Sequence, residues 1–141
     1  MNKKIIIFLL VMLMTGIFTM PSVASSSKVN DDIGVSPMFT YIIDAETQIF
    51  INSSGKATVE TYLTGNNQVT STRAIINLQQ YKNGRWTTIK TWNESSSTRI
   101  LNFSSTYYVN SGYSYRVQST VTAYSGTNSE STTLTSSSQS Y

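Results

Sequence analysis

The chain has 141 residues, ten basic and seven acidic side chains for a formal net charge of +3, and neither cysteine nor histidine. Those two absences exclude disulfides, a lipid-modified cysteine, Ser-His-Asp and Cys-His catalysis, imidazole acid-base chemistry and the usual zinc ligands. The length suits one domain with one core, not two.

The first segment reads as a targeting signal. Lys3 and Lys4 precede ten consecutive apolar residues, Ile5 to Met14, and a shorter apolar run ends at Met20. A spanning helix needs about 20 apolar residues, whereas Ile5 to Met20 is 16 residues interrupted by Thr15, Gly16 and Thr19. Ser22, Val23 and Ala24 then place small side chains at the positions a signal peptidase reads before Ser25. The expectation is a cleavable signal peptide over 1–24, secretion to the extracellular side, and no stable membrane insertion afterwards. Loss of Lys3 and Lys4 leaves eight basic against seven acidic side chains, a net charge of +1. No basic field remains for nucleic acid or anionic lipid. Residues 25–37, polar and closed by Pro37, read as a flexible lead-in.

From Met38 onward Thr, Val, Ile and Tyr dominate without a three-and-four apolar period, which predicts an all-β domain over 38–136. Strands are expected at 47–52 and 56–64, separated by Ser53-Ser54-Gly55. Asn83-Gly84 predicts a two-residue type I′ hairpin between strands 73–82 and 85–92. With an unbroken register, Tyr81 faces Trp86, Leu78 faces Ile89 and Ile75 faces Trp92. One side then carries Ile76, Leu78 and Ile89, and the other Ile75, Tyr81, Trp86 and Trp92. Strands at 98–104, 113–124 and 130–136 bring the number to about seven, as expected of a two-sheet sandwich. The serine-rich segment 137–141 is expected to be a disordered tail.

The stretch from Gly112 through Tyr113-Ser114-Tyr115-Arg116-Val117, with Ala123-Tyr124-Ser125-Gly126, resembles the penultimate strand and final turn of immunoglobulin-like and fibronectin III-like sandwiches. In those folds the Tyr-x-Tyr-Arg-Val pattern supplies core aromatics and a corner tyrosine. Leu78-Gln79-Gln80-Tyr81 with Gly84-Arg85-Trp86 and Ile89 is similar to the central hairpin of small secreted single-domain proteins of Firmicutes, a group with no assigned activity. The resemblance spans about 40–136 and implies a fold, bringing no catalytic residues. The central-strand Trp of true immunoglobulin domains is missing from 73–82.

The chemistry-bearing residues are few. Asp44 and Glu46, two apart, share a strand face, an arrangement open to glycoside hydrolysis or, with Asp31 and Asp32, to calcium. Two solvated acids ahead of a strand, without a cleft, is the plainer reading, so the chain is expected to be no enzyme and to need no cofactor. Ile75, Tyr81, Trp86 and Trp92 form the best candidate binding surface, since Trp and Tyr on a sheet face stack on sugar rings or anchor protein interfaces. The same residues are also suited to be the second half of the core. The expectation is a secreted binding domain with a protein or glycan partner. The alternative is a self-assembling structural protein, with self-association through the weakly charged 130–136 edge.

Overall fold

The computed structural model describes residues 38–141; the expected signal peptide and lead-in lie outside the described residues. The described residues form strands β1 (Ile42–Ile51), β2 (Lys56–Gly65), β3 (Ser71–Lys82), β4 (Arg85–Ser96), β5 (Ile100–Tyr108), β6 (Ser114–Ser125), β7 (Asn128–Thr135) and β8 (Gln139–Ser140). Among the described residues there is no helix. One antiparallel sheet has the order β1-β2-β5 and the other β4-β3-β6-β7, with β8 also paired to β6. Stacked face to face, they make a β-sandwich.

Alternation of side chains places the core. Along β2, Ala57, Val59, Thr61 and Leu63 point inward; along β6, Tyr115, Val117, Ser119, Val121 and Ala123 do so. With Ala74, Ile76 and Leu78 of β3 and Leu101 of β5 they close the interior. Such a period of two leaves each intervening residue outward, which is why the outer surfaces are rich in Thr, Ser, Asn and Gln.

The β3–β4 turn has the expected chemistry: Asn83 and Gly84 take φ values of 53° and 76°, as a type I′ turn requires. The register beyond it differs from the unbroken one. Pairing runs Tyr81 with Trp86, Gln80 with Thr87 and Gln79 with Thr88, then shifts so that Leu78 faces Lys90, Ile76 faces Trp92 and Ile75 faces Asn93. One extra residue in β4 is a β-bulge, and a bulge changes which face every later residue takes. Ile89 and Trp92 therefore both pack against the core.

Three buried hydroxyls sit between the sheets. Thr47 of β1, Thr61 of β2 and Ser119 of β6 lie 2.8–2.9 Å from one another, and the Thr47 hydroxyl also donates to the Glu60 carbonyl at 3.2 Å. Each satisfies the others, so no buried side-chain polar atom lacks a partner among the described residues. Tyr115, fully buried, donates its hydroxyl to the Asn110 carbonyl at 2.6 Å and accepts from Gln80 Nε2 at 3.0 Å. The hydroxyl thus bonds back to backbone five residues upstream.

The segment 137–141 is not a loose tail. β8 pairs Ser140 with Ser114 and Gln139 with Tyr115 on the side of β6 that β7 has vacated. Tyr141 packs on the core, with its ring against Gly55, where a Cβ would lie 2.6 Å from the ring and 2.8 Å from the Val109 carbonyl. Burial of one aromatic ring and two backbone hydrogen bonds between Tyr141 and Tyr113 outweigh the disorder that the serines suggest.

Candidate binding surface

The outward face of the larger sheet follows from register. Its rows read Trp86, Tyr81 and Ser114; then Thr88, Gln79 and Arg116; then Thr91, Asn77, Gln118 and Thr135; then Asn93, Ile75, Thr120 and Thr133. The acidic residues of these strands, Glu94 and Glu130, pair with the buried positions Ala74 and Ala123, so they belong to the opposite side. Among the described residues the face is thus free of carboxylates while it carries Arg73 and Arg116.

At one end it holds an organised cluster. Tyr81 and Trp86, opposed across the hairpin, have ring centroids 5.1 Å apart at a tilt of 53°. The Arg116 guanidinium lies 4.3 Å from the Trp86 ring centroid, within range for a cation–π contact. Arg116 Nε donates to Gln79 Oε1 at 2.8 Å, and Gln79 Nε2 reaches Gln118 Oε1 at 3.5 Å. Arg116 and Gln79 hold each other, so the guanidinium is fixed in direction as well as place. Its remaining N–H groups form a planar donor fork of the kind that meets a carboxylate or phosphate. Tyr81 stays 44% exposed despite these contacts. A large apolar ring left open beside an oriented cation is the combination that binding surfaces concentrate.

The four residues singled out from sequence separate here. Tyr81 and Trp86 are together in the cluster. Trp92 leaves it: carried inward by the bulge, it packs against the core with its ring 5.7 Å from that of Phe103. Ile75 remains on the outer face, half-buried between Asn93 and Thr120, but six residues from Tyr81, about 20 Å along the strand. Arg116, Gln79 and Gln118 were missed. The signal available was the Arg in the Tyr-x-Tyr-Arg-Val stretch, whose outward position was legible but whose partner across β3 was not.

Asp44, Glu46 and Glu60 lie on the smaller sheet. Asp44 and Glu46 are exposed on β1, and Glu46 accepts the Tyr62 hydroxyl at 2.9 Å. That bond to a carboxylate, with lesser contributions from burial and from the charge of Asp44, pushes the Tyr62 phenol up to about 12. Among the described residues no three acidic side chains gather to hold a metal ion, and Asp31 and Asp32 lie outside the described residues. A groove of about 430 Å³ runs between Ala45–Ile49 and Leu134–Ser137, with Glu46 as its one ionisable wall residue among the described residues.

Glu130 has a structural task. Its carboxylate accepts the backbone N–H groups of Thr40, Tyr41 and Ile42 at 2.7–2.8 Å, tying the entry of β1 to β7. Withdrawal from solvent pushes its pKa up, but the donors from Thr40, Ile42 and Tyr41 outweigh that and hold it below the usual glutamate value. The expected pairing edge at 130–136 is thereby an edge with an inward-pointing charge, a recognised guard against strand addition.

Comparison of the chain with family models, with curated proteins and with solved structures gives no match.

Proposed function

We propose that the domain is a secreted, non-enzymatic binding module whose ligand is an acidic saccharide met on the Tyr81–Trp86–Arg116 cluster. The observation that carries this reading is the Arg116 guanidinium fixed 4.3 Å over Trp86 on a face without carboxylates among the described residues. Tyr81 offers an exposed ring for a pyranose, Arg116 a donor fork for a uronate or sulfate, and Gln118 a side-chain amide for hydroxyls, while buried Gln79 holds Arg116 in place. The export-type leader and the absence of His and Cys support an extracellular, non-catalytic role. The strand order β1-β2-β5 against β4-β3-β6-β7, with a corner tyrosine at Tyr115, supports a fibronectin III-like sandwich.

Fluorescence tests the reading, because Trp92→Phe leaves Trp86 as the single reporter. Oligogalacturonate is expected to shift its emission while neutral oligoglucosides do not, and Arg116→Gln is expected to remove the response. No response to any acidic saccharide, or an equal response in Arg116→Gln, refutes it.

A further inference from the structure

We infer that β5 is a self-pairing edge, through which two copies of this chain form a symmetric dimer with one continuous six-stranded sheet. The case begins with the other three long edge strands among the described residues, each of which carries a guard. β1 has a register irregularity between Ile42 and Asp44 and the carboxylates of Asp44 and Glu46. β4 has its bulge and Arg85, Lys90 and Glu94. β7 has Glu130 pointing inward, where its carboxylate holds the backbone of Thr40–Ile42.

β5 has no such device. Its nine residues, Ile100 to Tyr108, contain no charge, no Pro and no Gly, and they pair with β2 without a register shift from Tyr108 to Ile100. A long, regular, uncharged edge is the template to which another strand adds.

Backbone geometry gives the register. Gly65 donates to the Arg99 carbonyl and Val109 donates to the Gly55 carbonyl, so the odd-numbered residues bond toward β2. Alternation then turns the N–H and C=O of Ile100, Asn102, Ser104, Thr106 and Tyr108 to the free side. Ile100 is already occupied, since the Thr98 hydroxyl accepts its N–H at 3.2 Å and donates to its C=O at 3.0 Å. Among the described residues, nothing bonds the other four on that side. A two-fold axis through Ser105 pairs all four at once: Asn102 with Tyr108 of a second copy, Ser104 with Thr106, and the reverse. Side chains on each face match in kind across this axis. Outside, exposed Tyr108 covers Asn102, and the hydroxyls of Ser104 and Thr106 meet; inside, half-buried Phe103 lies opposite Tyr107. With no charge on the strand, nothing repels across the axis, and an isologous contact of this kind closes at two copies.

Sedimentation equilibrium from about 10 μM to about 1 mM brackets the dissociation of a contact this small. The mass is expected to rise from one chain to two and no further. Ser104→Pro removes an N–H that serves no bond among the described residues, so it is expected to keep the unfolding midpoint and stay monomeric. Ser104→Lys tests the same point without altering the backbone, by placing two cations beside the axis. Ser105→Cys, the only thiol in a cysteine-free chain, is expected to oxidise to a covalent dimer, because facing residues of a non-hydrogen-bonded antiparallel pair are close enough to bridge. A monomer throughout the range, a dimer that survives both Ser104 variants, or growth beyond two chains overturns the inference. So does a dimer lost in Trp86→Ala and kept in Ser104→Pro, which would assign the contact to the aromatic face instead.

Discussion

The Thr47–Thr61–Ser119 cluster makes a prediction that separates two accounts of buried polar groups. Three hydroxyl protons serve four close contacts, the three mutual ones at 2.8–2.9 Å and the Glu60 carbonyl at 3.2 Å, so no single proton is indispensable. Ser119→Ala leaves Thr47 and Thr61 bonded to each other, and Thr61→Val leaves Thr47 and Ser119 bonded. Neither creates an orphan, so each is expected to cost about 1 kcal/mol, the net worth of one ordinary hydrogen bond. For a domain of this size that is a fall of about 4 °C in Tm. Additivity from Thr47→Val, Thr61→Val and Ser119→Ala gives about 3 kcal/mol for the triple variant. The structure argues otherwise, because valine matches threonine in shape and the triple variant leaves no hydroxyl to desolvate; the cost is expected within about 1 kcal/mol of zero. Urea unfolding of the three singles and the triple measures this. A triple variant destabilised by the sum of the singles refutes the reasoning, and would mean that the three hydroxyls contribute independently.

Other outcomes follow from single residues. Glu130 is held below its unfolded pKa, so its contribution is present above the ordinary glutamate value of about 4.3 and is lost as pH falls through the lower folded value. Acid unfolding is accordingly expected to be steeper for wild type than for Glu130→Gln below about pH 4; parallel curves would show that the link to Thr40–Ile42 is not charge-assisted. Gly84→Ala meets open space at φ +76° and should cost about 1 kcal/mol from backbone strain alone. Gly55→Ala at φ +78° also collides with Tyr141, so it should cost more and expose β8 amides to hydrogen exchange; equal costs would contradict the packing of Tyr141. Trp92→Ala is expected to lose about 2 kcal/mol in urea unfolding and Trp86→Ala under about 1, since only the first ring packs on the core.

Much of the fold was legible because its causes are local. The turn at Asn83-Gly84 needs two positive φ values that few residue pairs tolerate, and the alternation in 113–124 assigns Tyr115, Val117 and Val121 to one face by stereochemistry alone. β1 was expected to begin at 47, yet it starts at Ile42 because Glu130, far along the chain, binds the backbone there. The candidate site was half legible: Tyr81 and Trp86 lie within the two residues next to the turn, where register cannot slip. Trp92 lies beyond the bulge at Ile89, and its side depends on where the ladder takes up one extra residue.

By itself, then, the sequence determined the all-β class, the strand spacing, the chemistry excluded by the lack of His and Cys, and the Tyr81–Trp86 pair. Each rests on interactions within a few residues or on composition. Tertiary structure decided the inward turn of Trp92, the Arg116 cation over Trp86, the β1 clamp by Glu130, the docking of Tyr141 on Gly55, and which edge is left unguarded. The contacts of Arg116, Glu130 and Tyr141 join residues 30 to 90 positions apart. Such contacts are selected by the energy of the whole packed sandwich, which no local pattern encodes.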